Sequence, residues 1–189
     1  MAAVDSTGYD GRPVSRYFAA RGGRRGRQRH WPKLTAVVDT RTHLFLAASV
    51  TRGPRQDAPQ LVPAVRQAVR RAPIDTLLAD AGYDAEANHA TCRERLGIRS
   101  TVIALNWRGS RKWPRARYRR QMVKRFRKAP GGRSRRVYGQ RAQAESAFSR
   151  NKRRLGASVA AVRWANQRTE ILLKVIAHNI MLRAARTST

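Results

Sequence analysis

The sequence predicts an α/β fold with mixed strand directions, and three observations carry that prediction. Short β-rich runs alternate with amphipathic helical stretches before residue 106. Two of those runs, 33–39 and 43–50, are parted only by the polar link "TRT" and read as an antiparallel hairpin. After residue 137 the pattern is helical alone.

Taken in order, "AAVD" (2–5) reads as the end of a strand stopping at Asp5, with a turn through "STGYDG". Residues 21–33, "RGGRRGRQRHWPK", have no periodicity and read as a mobile basic loop. The hairpin follows, with Asp39 in its turn. In "DAPQLVPAVRQAVRR" the spacing of Leu61, Val62, Val65, Ala68 and Val69 predicts a helix with Asp57 as N-cap. "IDTLLAD" (74–80) is a short buried strand ending at Asp80, and Asp84 is expected to cap a helix running to about Leu96, stopped by Gly97. "STVIAL" (100–105) is a further strand. A basic, Trp-containing segment fills 106–137, broken by "APGGRS", and two helices near 139–155 and 168–185 close the chain. The predicted order is β-β-β-α-β-α-β-α-α.

A chain of 189 residues with 41% hydrophobic content suffices for one domain with a real core. No apolar run approaches the roughly 20 residues of a membrane span, and "MAAVDSTGYD" lacks the features of a signal peptide. The single cysteine, Cys92, excludes an internal disulfide and fits a reducing cytoplasm, where it reads as an inert thiol. Forty-one Lys and Arg against eleven acids give a formal charge of +30, which points to a polyanion as partner. Charge alone does not separate an enzyme acting on DNA from a ribosomal or chromatin-like binder.

With so few acids, each can be weighed. Asp10, Asp75, Glu86, Glu94 and Glu170 fit turns or solvated helix faces. Asp5 and Asp80 differ, because each stands where an apolar run ends, and the carboxyl ends of strands are where open α/β sheets build sites. Glu145 is the third. Between Arg111 and Arg154 it is one acid against eighteen Lys and Arg. On a helix, Tyr138, Arg141, Glu145, Phe148 and Lys152 fall on one stripe about 21 Å long. An ordinary Glu145–Arg141 ion pair explains the acid among the bases, but not the aromatics sharing its stripe.

"VDSTG" at Asp5, "LLADAGYDAEAN" at Asp80, and the spacing Y-x2-R-x3-E-x6-K at Tyr138, Arg141, Glu145 and Lys152 together resemble the DDE transposases of bacterial insertion sequences. The last motif is that of the subgroup named for those four letters. The resemblance runs from about residue 2 to 185, and "KLTAVVDTRTHLFLAASVTRGPRQDAPQL" is similar to the family's second and third strands. It implies an RNase H-like fold with a mixed five-stranded sheet, and Asp5, Asp80 and Glu145 as catalytic acids converging within a few ångströms. Their hard oxygens would hold two Mg²⁺ or Mn²⁺ ions for cleavage and strand transfer of DNA. Arg141 and Lys152 would contact DNA near the cut, and Tyr138 would support a phosphate or stack. A homodimer assembled on transposon ends and target DNA would be the working form, in the cytoplasm at the nucleoid.

The basic segment 111–128 interleaves Trp113, Tyr118 and Phe126 with cations. DNA contact through Arg111, Lys112 and Trp113 is one reading, and aromatics anchoring a solvated helix the other. The stretch between Asp80 and Glu145 leaves little room for the inserted β domain some relatives carry. His30, His43, His89 and His178 have no metal spacing, and His178 reads as packed or capped. Family members place an end-recognition domain ahead of the first acid, whereas here Asp5 closely follows Met1 and the first strand looks clipped to "AAV". Residues 1–189 then read as a single catalytic domain, truncated at the N-terminus. Two alternatives stand beside it: a catalytically silent fragment that binds DNA or represses transposition, and a ribosomal or nucleoid-type basic protein.

Overall fold

The structure, a computed structural model of the chain, describes residues 1–11, 31–107, 112–127 and 133–187. Most of the basic loop expected at 21–33, together with His30 and Arg111, lies outside the described residues. Within them the strands are β1 (Ala2–Gly8), β2 (Asp10–Gly11), β3 (Pro32–Asp39), β4 (Phe45–Arg52), β5 (Thr76–Ala79), β6 (Ser100–Ile103) and β7 (Ser158–Val159). The helices are α1 (Ala58–Val69), α2 (Glu86–Ala90), α3 (Arg117–Arg127), α4 (Arg133–Gly139), α5 (Ala142–Leu155) and α6 (Trp164–Thr187).

Five strands form one mixed sheet in the order β4-β3-β1-β5-β6. The expected hairpin is present: β3 pairs antiparallel with β4 and with β1, while β1, β5 and β6 run parallel. Period-2 alternation sends side chains to two apolar layers. Ala2, Val4, Val37, Leu77 and Ala79 face one core with α1 (Leu61, Ala64, Val65, Ala68). Ala3, Leu34, Ala36, Val38, Leu78 and Val102 face the other with α5 (Ala144, Ala147, Phe148) and α6 (Ile171, Val175). The second layer carries a buried polar tie: Tyr9 donates to Asn151 Oδ1 at 2.7 Å, and Asn151 donates to the Lys174 carbonyl at 3.0 Å. Burial pushes the Tyr9 phenol up to about 12, so it remains a donor.

Several expectations are corrected. β1 does not stop at Asp5, nor is it clipped to three residues. Ser6, Thr7 and Gly8 look turn-like in isolation, but they pair with Thr35, Leu34 and Lys33 of β3, and the ladder overrides their local preference. Asp57 stands at the N-cap of α1 without a side-chain cap bond; its carboxylate pairs with Lys33 Nζ at 2.6 Å instead. Asp84 does not cap α2, because it is buried and turned toward Arg119 and the Asn106 amide. Ala85 takes the cap position, and α2 widens into a π turn over Thr91–Arg95 before Gly97, at φ 68°, ends it. The predicted helix 139–155 is divided: i−3 bonds from Gln140, Arg141, Gln143 and Ala144 tighten the chain where α4 meets α5. Tyr138 therefore lies on α4, and Arg141 at the N-cap of α5. The short β2–β7 pair was not legible in the sequence.

Asp39, Cys92 and His178 stand as expected. Asp39 accepts from the Arg41 and Thr42 amides in the hairpin turn. Burial pushes the Cys92 thiol up to about 12, which leaves it unreactive. His178 packs 4.8 Å from the Phe45 ring and reaches the His43 carbonyl. No helix of the described residues is long and apolar enough to cross a membrane.

Candidate active site

The parallel register of β1 and β5 places two acids side by side. Its last paired couple is Val4 and Ala79, and the next residue on each strand is an aspartate, Asp5 and Asp80. Adjacent strands lie about 4.8 Å apart, so the two carboxylates rise from neighbouring backbone positions. Each is held by a local amide: Asp5 accepts from Ser6 N at 2.8 Å, and Asp80 from Gly82 N at 2.7 Å as it caps the turn Ala81–Tyr83. Gly82 sits close, and a Cβ at that position would lie 3.0 Å from Asp80 Oδ1, which would have to shift by a few tenths of an ångström.

Beneath Asp5 the strand is braced by a side-chain relay. The Ser6 hydroxyl meets Tyr83 Oη at 2.6 Å and Thr35 Oγ1 at 2.9 Å. Burial raises the Tyr83 phenol well above its ordinary pKa, so it stays protonated under the acids. Nothing in the spacing of Ser6 and Tyr83 marked them, because the relay exists only once β1, β3 and the turn after β5 meet.

Glu145 reaches the same place from the first turn of α5, where the helix dipole favours an acid. Arg141 joins it to Asp5: Nη2 lies 2.7 Å from Glu145 Oε1, and Nη1 3.8 Å from Asp5 Oδ2. The Tyr138 ring, set edge-on to Phe126 at 5.3 Å, has the same guanidinium over it at 5.9 Å. Lys152 donates to the Gly8 carbonyl at 2.6 Å and lies over the Tyr9 ring. A cleft of about 430 Å³ opens between β1 and α5, lined by Asp5, Ser6, Glu145, Phe148, Lys152 and Arg153 among others. Asp80 is not among its described lining, but its charge reaches Asp5.

Asp5 is raised to about 6, chiefly by burial. The Ser6 amide and Arg141 pull it down, while Asp80 and Glu145 push it further up. The three acids therefore share one electrostatic neighbourhood. Their hard oxygens have the chemistry a divalent cation takes. Among the described residues, however, no three His, Cys, Asp or Glu side chains stand close enough together to hold a metal ion. The expected convergence within a few ångströms is thus incomplete, and the cation between Asp5 and Glu145 is the Arg141 guanidinium.

Of the basic segment, Lys112 and Trp113 stand exposed before α3 and are not among the described residues lining the cleft. Tyr118 is an anchor: it is buried, and its hydroxyl donates to Glu94 Oε1 at 2.6 Å. Phe126 is half-buried against the second core layer. A family model described as transposase DDE domain matches residues 2–180. No curated protein matches the chain.

Proposed function

The chain belongs to the transposase DDE domain family, and from that premise we propose that Asp5, Asp80 and Glu145 are the catalytic acids of a DNA-cleaving and strand-transferring domain. The fold is RNase H-like, a mixed five-stranded sheet with helices on both faces. One observation carries the assignment of the acids. Asp5 and Asp80 each directly follow the last paired couple of adjacent parallel strands, Val4 and Ala79, and Glu145 is tied to Asp5 by a single guanidinium.

The three carboxylates would hold Mg²⁺ or Mn²⁺, two ions, whose chemistry when bound is activation of a water or 3′-hydroxyl and stabilisation of the leaving oxygen. The chain's own residues do the positioning. Tyr83 and Thr35 fix Ser6 and with it the strand beneath Asp5. Arg141, held by Tyr138, compensates two acids in the absence of DNA and has the geometry to turn its fork onto a backbone phosphate. Lys152, at the cleft wall, is a second phosphate donor. The proposal takes residues 1–189 as one catalytic domain, with 106–137 a basic DNA-facing segment that includes Arg111, Lys112 and Trp113, and with two copies assembling on DNA.

Nicking of a supercoiled plasmid with Mg²⁺, Mn²⁺ or EDTA tests this reading. The expected result is metal-dependent nicking that Glu145→Gln lowers at least a hundredfold, since the variant removes one anionic ligand at nearly constant shape. Salt-sensitive DNA binding with no nicking under any metal would overturn it in favour of a catalytically silent, DNA-binding fragment.

A further inference from the structure

We propose that Arg117, Arg93, Arg125 and Arg99 form a second DNA-backbone site, a ridge along the β6 edge of the sheet that leads away from the acids. The inference rests on DNA as the partner, and assigns that partner to a surface outside the cleft.

The placement follows from how α3 is tied down. At its N-terminal end, Arg119 reaches Asp84 Oδ2 at 2.9 Å and the Asn106 carbonyl at 2.8 Å, beyond the C-terminal ends of β5 and β6. Near its C-terminal end, Arg125 donates to Ser100 Oγ at 3.1 Å, at the first residue of β6. α3 therefore runs antiparallel to β6, the outermost strand on this side of the sheet. One of its ends lies near the acid-bearing strand ends and the other at the opposite end of the sheet.

Along that edge three of the four guanidiniums, those of Arg117, Arg93 and Arg125, are held in a row by neighbours other than acids. Arg117 and Arg93 lie over the Tyr118 ring at 5.2 and 4.8 Å. Arg93 also donates to Gln121 Oε1 at 3.1 Å. Tyr118, Gln121 and Arg125 recur at i, i+3 and i+7 on one face of α3, so Arg125 continues the line. Arg99 follows, adjacent in sequence to the Ser100 that holds Arg125. Two acids touch the row: Asp75 forks onto Arg99 at 2.6 and 2.8 Å, and Glu94 is engaged by the Tyr118 hydroxyl.

Like charge is concentrated rather than relieved here. The guanidinium of Arg125 is held below its ordinary pKa, first by burial and then by Arg93 and Arg99. Arginines ordered in this way carry little conformational cost on meeting phosphates, and their forks match phosphate oxygens. From Arg117 to Arg125 the helix rises about 12 Å, equal to roughly three to four base-pair rises along a duplex axis. A row of that length suits a duplex backbone passing over the sheet edge.

The test is metal-free fluorescence anisotropy of a labelled duplex across a salt series. Wild type is compared with Arg93→Gln/Arg125→Gln, Arg99→Gln/Arg117→Gln, and an equal-charge control on α1, Arg66→Gln/Arg70→Gln. Each ridge pair is expected to weaken binding about tenfold and to lower the log–log salt slope by about 2, with the control changing affinity less than threefold. The Arg99/Arg117 pair consists of exposed side chains, so its result stands if loss of the Arg93 and Arg125 ties disturbs folding. Ridge pairs that match the control in affinity and slope would overturn the inference. Plasmid nicking separates this outcome from failure of the functional reading, because a chain that nicks DNA with an inert ridge loses only the ridge.

Discussion

Asp5 carries a consequence that can be measured without DNA. Burial raises its carboxyl from the ordinary aspartate value of 3.8 to about 6, so the folded chain holds this proton more tightly. Asp5's own contribution to stability is then fully present below about pH 4, falls as pH rises to about 6, and stays lost above, by on the order of 2 kcal/mol. Asp5→Asn keeps the shape and removes the charge. In EDTA, urea denaturation of the variant should lose that acid-side slope and show a gain at pH 7.5; an unchanged slope would contradict the crowding of charge around Asp5. This residue and its two partners stand out in the sequence, because an acid at the end of an apolar run and a lone acid in a basic run are both anomalies. Ser6, Tyr83 and Asp84 do not. A hydroxyl relay and a buried carboxylate have meaning only through partners brought from other elements, as Arg119 is brought to Asp84.

Elements were legible where local pattern and tertiary environment agree. The hairpin of β3 and β4 and the amphipathic α1 follow their periodicities, whereas the division between α4 and α5 follows from tightened bonds that no spacing rule announces. α3 is an instructive case, since its N-terminus is capped from another element. Glu86 of α2 accepts from Tyr118 N at 2.8 Å and Arg119 N at 3.0 Å, so its two oxygens satisfy amides that an isolated helix leaves open. From sequence alone this glutamate fits an ordinary surface position, because the helix it caps lies far along the chain. Glu86→Ala should cost about 1–2 kcal/mol, in the range of lost N-caps and charge-assisted hydrogen bonds. Limited proteolysis should then cut first within residues 112–127. Equal protection of that stretch in variant and wild type would mean that α3 is fixed by its apolar contacts, Met122 and Val123, and not by its cap.

At the scale of the whole molecule, a formal +30 acts on stability and on binding in opposite senses. Charges of one sign distributed over a folded surface repel, and they repel less in the expanded chain, so net charge this large works against the native state at low ionic strength. Salt shortens the reach of that repulsion, from about 30 Å at 0.01 M to about 10 Å at 0.1 M. The same salt weakens attraction to a polyanion, because each phosphate contact made releases counterions into a solution already richer in them. The melting temperature should therefore rise by several degrees between 20 and 200 mM NaCl while duplex affinity falls by at least a hundredfold. DNA added at low salt should raise the melting temperature more than NaCl does, because it compensates charge and meets a cationic surface already arranged on the fold. Differential scanning calorimetry with and without a short duplex checks all three signs. A melting temperature that falls with salt would mean that local pairs such as Lys33–Asp57 and Arg119–Asp84 outweigh the net repulsion, and that the sparse acids, not the excess of bases, govern how this fold holds together.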